Sequence, residues 1–416
     1  MLLHDFAVRN LGPIKEANFP FDRSFNVLVG VNGSGKSTVL NALALMLGRY
    51  ASVVRTGRVG GTVFDRELIK RGSAYAQAVA VISHEELSPE PVKWSMGVGR
   101  PGRLDVTKLT DSSELIAFGT AVARELEENP VEANLPIVVY YPVHRAVLDI
   151  PLRVRGTVPF DQLGALEGAV SPSGRSFREF FSWFRQREDL ENEARLEGTL
   201  EYDPELTAVR QAIARMLPGF ENLRVRRSPL RMVITKNSLE LRVDQLSDGE
   251  KAILALSGDL ARRLATANPG RKDALQGRAI VLIDELELHL HPGWQRRTVV
   301  QLREAFPNCQ FIVSSHSPQI VSEVEPEGVF LLKDHVVKRT DRSKGWTSNL
   351  ILEELMDVAA RPAEALAEIE TMYDAIDDGE FDKARHMLQQ LEQSLGADDP
   401  GLTAARATLV ARPRGA

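Results

Sequence analysis

The feature that most constrains this chain is Gly30-Val31-Asn32-Gly33-Ser34-Gly35-Lys36-Ser37, lying between an apolar run and an amphipathic one. Phe25–Val29 reads as a strand. Beyond the turn, Ser37–Leu47 carries Val39, Leu40, Leu43, Ala44 and Leu47 at the spacing of one helix face. Strand, glycine turn and helix in this order make a phosphate-binding loop. The glycines let the backbone wrap with its N–H groups pointing inward, and the helix adds its positive N-terminal end. On this reading Asn32, Gly33, Ser34, Gly35, Lys36, Ser37 and Thr38 hold a nucleotide. Lys36 reaches the β- and γ-phosphates and Ser37 ligates magnesium, so the expected cofactors are ATP and Mg²⁺. The alternative is a chance glycine turn, and the flanking elements argue against it. A guanine-nucleotide switch is disfavoured because no N-K-x-D motif occurs.

Three further stretches extend the site. The apolar run Ala279–Ile283 ends in Asp284-Glu285, with Asp284 suited to the magnesium shell and Glu285 to polarising an attacking water. Leu246-Ser247-Asp248-Gly249-Glu250 opens a helix. Ser247, Gly249 and Glu250 at a helix N-terminus offer a second phosphate-binding surface, although alone such a turn is usually an N-cap. Finally, the strand in Phe311–Ser317 runs into His316, 31 residues after Glu285.

In order, these four elements resemble the ATP-binding-cassette ATPase domain: P-loop, signature motif, Walker B with catalytic glutamate, and switch histidine. The resemblance implies an α/β fold, an ABC-type P-loop ATPase head with a mixed central sheet, a mainly helical insertion and a helical C-terminal tail. It implies ATP hydrolysis with Lys36, Glu285 and His316 as catalytic residues, His316 contacting the γ-phosphate within its own subunit. Ser247 and Gly249 would act on the nucleotide of another subunit, so ATP would bridge heads in a homodimer or higher homo-oligomer. Departures from the family's transporter pattern narrow the branch. Lys36 and Ser247 are 211 residues apart, Asp248 replaces a glycine, and Glu250 replaces a glutamine. The stretch Leu286–Pro292, with Phe311–Pro318, looks like the RecF-like and OLD-like ATPases of repair and phage defence. Pro136–Ile150, Leu246–Arg263, Leu282–Val321 and Ile351–Glu354 are similar to stand-alone ATPases of Septu and retron-type anti-phage systems. That similarity implies a separate HNH-type nuclease partner. The rival reading is a RecF- or SMC-like repair ATPase that clamps DNA itself.

Residues 1–149 and 223–350 are expected to form the head in two lobes, 150–222 the helical insertion, and 351–416 an acidic helical tail. The reading expects strands at Tyr75–Ile82, Val92–Val98, Ile137–Tyr141 and Gln310–Val313. Helices are expected at Ser113–Asn129, Asp248–Thr266 and Gly293–Glu304, and two or three strands within 223–243. The tail breaks at Pro362, Asp377-Asp378-Gly379 and Asp399-Pro400. A net charge of −6 over 416 residues excludes coating of nucleic acid by bulk positive charge, so any DNA contact is local. The tail, with 14 acids and 6 bases, carries −8, which leaves the rest near neutral and marks the tail as a candidate surface for a protein partner. The lone Cys309 excludes an intrachain disulfide framework and a cysteine zinc site. No signal peptide and no apolar run approaching 18 residues is visible, so the reading expects no membrane association and a cytoplasmic location.

Other features carry competing readings. The family's glutamine linking γ-phosphate to the inserted lobe has no counterpart after Tyr141, where His144 and Arg145 stand instead. Arg9 and Asn10 are near enough in sequence to the first strand to approach a nucleotide. Arg210, Arg215, Arg224, Arg226, Arg227 and Arg231 could meet phosphates, form a solvated face, or meet the acidic tail of another subunit. Phe177, Phe180, Phe181 and Phe184 share one helix face and read as core or partner interface rather than a base-stacking platform. Glu287, His289 and His291 read as interface packing sooner than a metal site.

Overall fold

The chain, seen in a computed structural model, is described over residues 1–85, 87–101, 106–143, 161–171, 176–199 and 202–411. His144 and Arg145 lie outside these. The residues divide into two units, Met1–Ser348 and Asn349–Ala416.

In the first unit the order is β1 (Leu2–Leu11), β2 (Ile14–Pro20), β3 (Phe25–Val29), α1 (Lys36–Thr56), β4 (Tyr75–His84), β5 (Ser88–Gly99), α2 (Ser113–Glu128) and β6 (Ile137–Tyr141). Then follow α3 (Ser176–Leu196), α4 (Pro204–Met216), β7 (Phe220–Arg227), β8 (Leu230–Lys236), β9 (Leu239–Arg242) and α5 (Asp248–Ala267). β10 (Ala279–Ile283), α6 (Pro292–Ala305), β11 (Cys309–Ser315), β12 (Val329–Lys333) and β13 (Val336–Arg339) complete it.

The central sheet runs β13-β12-β3-β11-β10-β6, parallel throughout except for the antiparallel edge strand β13. Every residue of β3, β6, β10 and β11 is buried, as expected of parallel strands covered on both faces. Val29 pairs with Ser315 and Ile283 with Val313, so β3, β11 and β10 end side by side. Their carboxyl ends form the edge where ligands of open α/β sheets bind. An antiparallel sheet, β2-β1-β4-β5, and a three-stranded one, β7-β8-β9, complete the unit.

Helix α1 extends nine residues beyond the expected Leu47, to Thr56. Its apolar spacing continues through the buried Tyr50, Val53 and Val54, and the Tyr50 hydroxyl donates to the Pro136 carbonyl at 2.9 Å. Among the described residues α1 is long and apolar enough to cross a membrane, but it is a core helix packed on α2 and β6.

Helices α3 and α4 pack on α5. Phe180, Phe181, Trp183 and Phe184 are all fully buried, so these rings are core; the Phe177 side chain lies outside the described residues. Trp183 lies off the predicted stripe and is buried because α4, α5 and β7 surround α3. Removing the Phe181 ring leaves a cavity; Phe181→Ala is expected to lower unfolding free energy by about 3–5 kcal/mol in a denaturant titration. A loss below about 1 kcal/mol would mean the ring is not core.

A buried ionic cluster holds α5 in place. Asp259 accepts from Arg262 (2.7 Å), Arg263 (2.8 Å) and the Tyr141 hydroxyl (3.0 Å), while Arg263 also donates to the Ala165 and Glu167 carbonyls. Burial opposes charge on Asp259, yet the two guanidiniums hold its carboxyl below the ordinary carboxylate value.

In the second unit, helices Ala363–Asp377, Phe381–Leu395 and Pro400–Ala411 pack together. Ala384, Leu388 and Leu391 of the middle helix meet Met372, Ile376, Leu402 and Leu409 in its core, so the apolar stripe of this helix is largely consumed within the unit. Arg361 bonds Asp399 at 2.8 Å across this unit.

Candidate functional site

The glycine loop leaves the end of β3 with Gly33 at φ 79° and Gly35 at φ 107°, left-handed values at which a side chain would be strained. Gly35 is the N-cap of α1 and no side chain caps the helix, which leaves its N-terminal end available to an anion. Asn32 and Gly33 are exposed at the loop tip, Ser34 and Gly35 are buried, and Thr38 lies against Gly12 in the β1–β2 turn. The Ser34 hydroxyl is buried without a hydrogen-bond partner. Lys36 donates to the carbonyls of Gly30 (2.8 Å) and Val31 (3.2 Å), which folds its amine back across the loop. Burial lowers the Lys36 pKa, opposed by the carboxylates of Asp284, Glu287 and Glu285.

Those carboxylates follow β10. Asp284 is buried, and its Oδ1 accepts from the Ser37 hydroxyl at 3.1 Å and the Ser314 hydroxyl at 2.5 Å. Glu285 has φ 49°, uncommon for a residue with a side chain and frequent where a site imposes the backbone. Its N–H donates to Ser314 Oγ at 2.8 Å. Ser314, on β11, thus ties Asp284 and Glu285 together. Two residues on, His316 gives its backbone N–H to Glu287 Oε1 at 2.5 Å. Burial, then the nearby Lys36 amine, hold the His316 imidazole below its ordinary pKa against the pull of Glu287, Glu285 and Asp284.

The structure brings Lys36, Ser37, Asp284, Glu285 and His316 together at the ends of three adjacent strands. The Ser37 hydroxyl and Asp284 carboxylate are hard oxygen donors in contact, a pair that suits Mg²⁺ completed by phosphate and water. Among the described residues no group of three or more His, Cys, Asp or Glu side chains is arranged to hold a metal. Glu287, His289 and His291 do not converge: His289 is exposed, and His291 Nδ1 accepts the Gly293 N–H as the N-cap of α6.

Ser247, Gly249 and Glu250 form a second locus at the start of α5. Ser247 Oγ accepts the Glu250 N–H at 3.3 Å while Glu250 Oε2 accepts the Ser247 N–H at 2.9 Å, a reciprocal capping box. Lys236 donates to Glu250 Oε1 at 2.6 Å. Burial pushes the Glu250 pKa up, but the bonds from Lys236 and Ser247 outweigh it and the net shift is downward. A Cβ on Gly249 would sit 2.7 Å from the His289 carbonyl oxygen, so glycine is what lets this helix reach the loop after Glu285. The Ser247 hydroxyl also lies within hydrogen-bond reach of the Glu250 carboxylate, so the cap is internally satisfied.

The arginine cluster changes meaning. Arg210 forks onto Glu191 with both bonds at 3.1 Å, Arg224 and Arg226 share Glu240, and Arg227 bonds Glu188 and Asp189. Four of the six are thus engaged by carboxylates of the same chain. Arg9 pairs with Glu16 at 2.9 Å, and the Asn10 side chain accepts from Ser73 at 3.1 Å. Sequence reasoning missed Ser314, Glu287 and Lys236. Ser314 had a visible signal, a hydroxyl residue at the end of a buried strand; the other two had none apart from the fold.

The family described as RecF/RecN/SMC N terminal domain matches residues 2–338. The chain is 30% identical to the retron Ec83 probable ATPase of Escherichia coli over 410 residues, covering 83% of this chain and 74% of that protein. It is 23% identical to the Septu protein PtuA of Bacillus thuringiensis over 413 residues, covering 90% of each. A solved Smc head bound to the C-winged helix domain of ScpA has the same fold over 82% of this chain and 98% of its own, with a TM-score of 0.52 and 17% identity.

Proposed function

The chain belongs to the RecF/RecN/SMC N-terminal domain family, and from that premise we propose that it binds and hydrolyses ATP between two copies of its ABC-type head. The observation that carries the reading is the cluster of Lys36, Ser37, Asp284, Glu285 and His316 around Ser314 at the strand ends. Ser37 and Asp284 would hold Mg²⁺. When bound, the ion supplies positive charge against the charge developing on the transferred phosphoryl group. Lys36 exchanges its loop carbonyls for phosphate oxygens, and the uncapped N-terminus of α1 adds its dipole. Glu285 orients the attacking water and takes its proton, while the His316 ring contacts the γ-phosphate.

The opposite side of the phosphates comes from a second copy. There Ser247 offers its hydroxyl, exchanging its contact with Glu250 for phosphate, and α5 its N-terminus. ATP then joins two heads and hydrolysis parts them. If so, a head carrying both Ser247→Arg and Glu285→Gln poisons its partner's site and adds no hydrolytic site of its own: mixing it in equal amounts with the native chain is expected to reduce hydrolysis per native chain by about half. Hydrolysis that scales only with the amount of native chain would remove the shared site.

The similarity to retron and Septu proteins supports a place in anti-phage defence; on our reading the chain works in the cytoplasm and its ATP cycle controls a separate nuclease of the HNH type. An HNH protein encoded beside this chain and purifying with it supports that role; a permease in that position would refute it. The rival, a repair ATPase clamping DNA directly, is favoured by the Smc-like head but loses support from the internal pairing of Arg210, Arg224, Arg226 and Arg227.

A further inference from the structure

The ladder between β10 and β11 ends at Ile283 opposite Val313. Beyond it the two chains stay joined by different means. Glu285 turns left-handed, its N–H goes to Ser314 Oγ, and the Leu286 N–H goes to the Ser314 carbonyl at 3.1 Å. The regular ladder stops at this turn. The Glu287 side chain reaches back, and its Oε1 takes the His316 N–H at 2.5 Å. Its other oxygen, Oε2, is buried and has no hydrogen-bond partner. A buried carboxylate oxygen left unsatisfied is costly, so its retention here calls for a reason beyond packing.

The loop that carries Glu287 is itself fixed. Leu288 N–H bonds the Glu285 carbonyl at 3.0 Å, Leu290 N–H bonds the Glu287 carbonyl at 2.8 Å, and Leu286 and Leu290 are buried. On the far side of His316, Ser317 is fixed by its N–H to Ser315 Oγ (2.9 Å) and by its hydroxyl to Gln295 (2.6 Å). The His316 backbone therefore lies between two anchored points, and Glu287 is the anchor on its own N–H.

We propose that Glu287 is a positioning residue: its carboxylate clamps the His316 main chain and so sets where the imidazole meets the terminal phosphate of a bound nucleoside triphosphate. This rests on the reading of His316 given above. Glu287 acts through His316, so its removal weakens recognition of the third phosphate and leaves recognition of the first two nearly intact. An amide at this position keeps one acceptor oxygen for the His316 N–H and preserves the clamp.

The test is the preference for triphosphate over diphosphate, measured on the full chain by competing AMP-PNP and ADP, each with Mg²⁺, against a fluorescent nucleotide. Glu287→Ala is expected to reduce the AMP-PNP to ADP affinity ratio about tenfold, the scale of one charge-assisted hydrogen bond, with ADP affinity within about twofold. Glu287→Gln is expected to keep the ratio within about threefold of the native value. In a His316→Ala background, adding Glu287→Ala is expected to change the ratio less than about twofold. A native chain that prefers the triphosphate and a Glu287→Ala chain that prefers it equally would overturn this role alone. So would a Glu287→Gln loss as large as that of Glu287→Ala, or an alanine effect undiminished without His316. A native chain with no triphosphate preference would overturn the reading of His316 and this role together.

Discussion

Glu285→Gln is expected to hydrolyse ATP about 10²- to 10⁴-fold more slowly than the native chain, the range that general-base catalysis contributes, while binding ATP with unchanged affinity. That loss corresponds to about 2.7–5.5 kcal/mol of activation free energy. The substitution isolates the proton acceptor. Glutamine has the same shape, leaves the backbone N–H on Ser314 Oγ, and can occupy the same left-handed conformation at φ 49°. Asp284 and its bonds from Ser37 and Ser314 remain. The measurements are phosphate release under saturating ATP and equilibrium binding of labelled ATP. A Glu285→Gln chain hydrolysing at the native rate would remove Glu285 from the role of base.

Lys36→Ala is expected to weaken ATP binding by at least about tenfold to a hundredfold, the scale of a charged hydrogen bond to a phosphate. It should also abolish the stabilisation that ligand confers. At an ATP concentration about 100 times the native Kd, binding adds about 2.7 kcal/mol to the native protein and raises its melting temperature by several degrees; the variant should show little rise. In the unliganded chain Lys36 bonds two carbonyls of its own loop, so some destabilisation of the empty loop accompanies the loss. The comparison that matters is the shift on adding Mg–ATP, not the starting melting temperature. A Lys36→Ala chain stabilised by ATP as much as the native one would show that the glycine loop is not where the phosphates bind.

Much of the fold is legible in the sequence because the central sheet is parallel. Ile137–Tyr141 and Ala279–Ile283 are uninterrupted apolar runs, and both are strands over those residues. The end of α1 was less legible: the apolar period does not stop at Leu47, and the C-terminal stop comes only at Gly57, at φ 69°. Tertiary surroundings decided Trp183, which no stripe on α3 includes. The arginines of 206–235 were misleading for a related reason. Their partners, Glu188, Asp189, Glu191 and Glu240, come from α3 and β9, so net charge within a window overstated the free positive surface.

At the site, motif spacing pointed to residue types and the fold supplied their proximity. Lys36, Asp284, Glu285 and His316 belong to separate motifs, and the alignment of β3, β10 and β11 brings them to one edge. Ser314 left only an ambiguous signal and Glu287 none, because each works through geometry beside the strand ends. A hydroxyl there reads as an ordinary polar terminus until the partner strand is placed beside it, and Glu287 matters only once the regular ladder has stopped at the Glu285 turn.

The central claim is that ATP joins two heads. It is tested most directly by the mass of the Glu285→Gln chain in solution, measured by light scattering with Mg–ATP and then with Mg–ADP. The account predicts a doubling of the ADP-state mass in ATP, with the doubling lost when Ser247→Arg is added. An identical mass in the two nucleotides would contradict it.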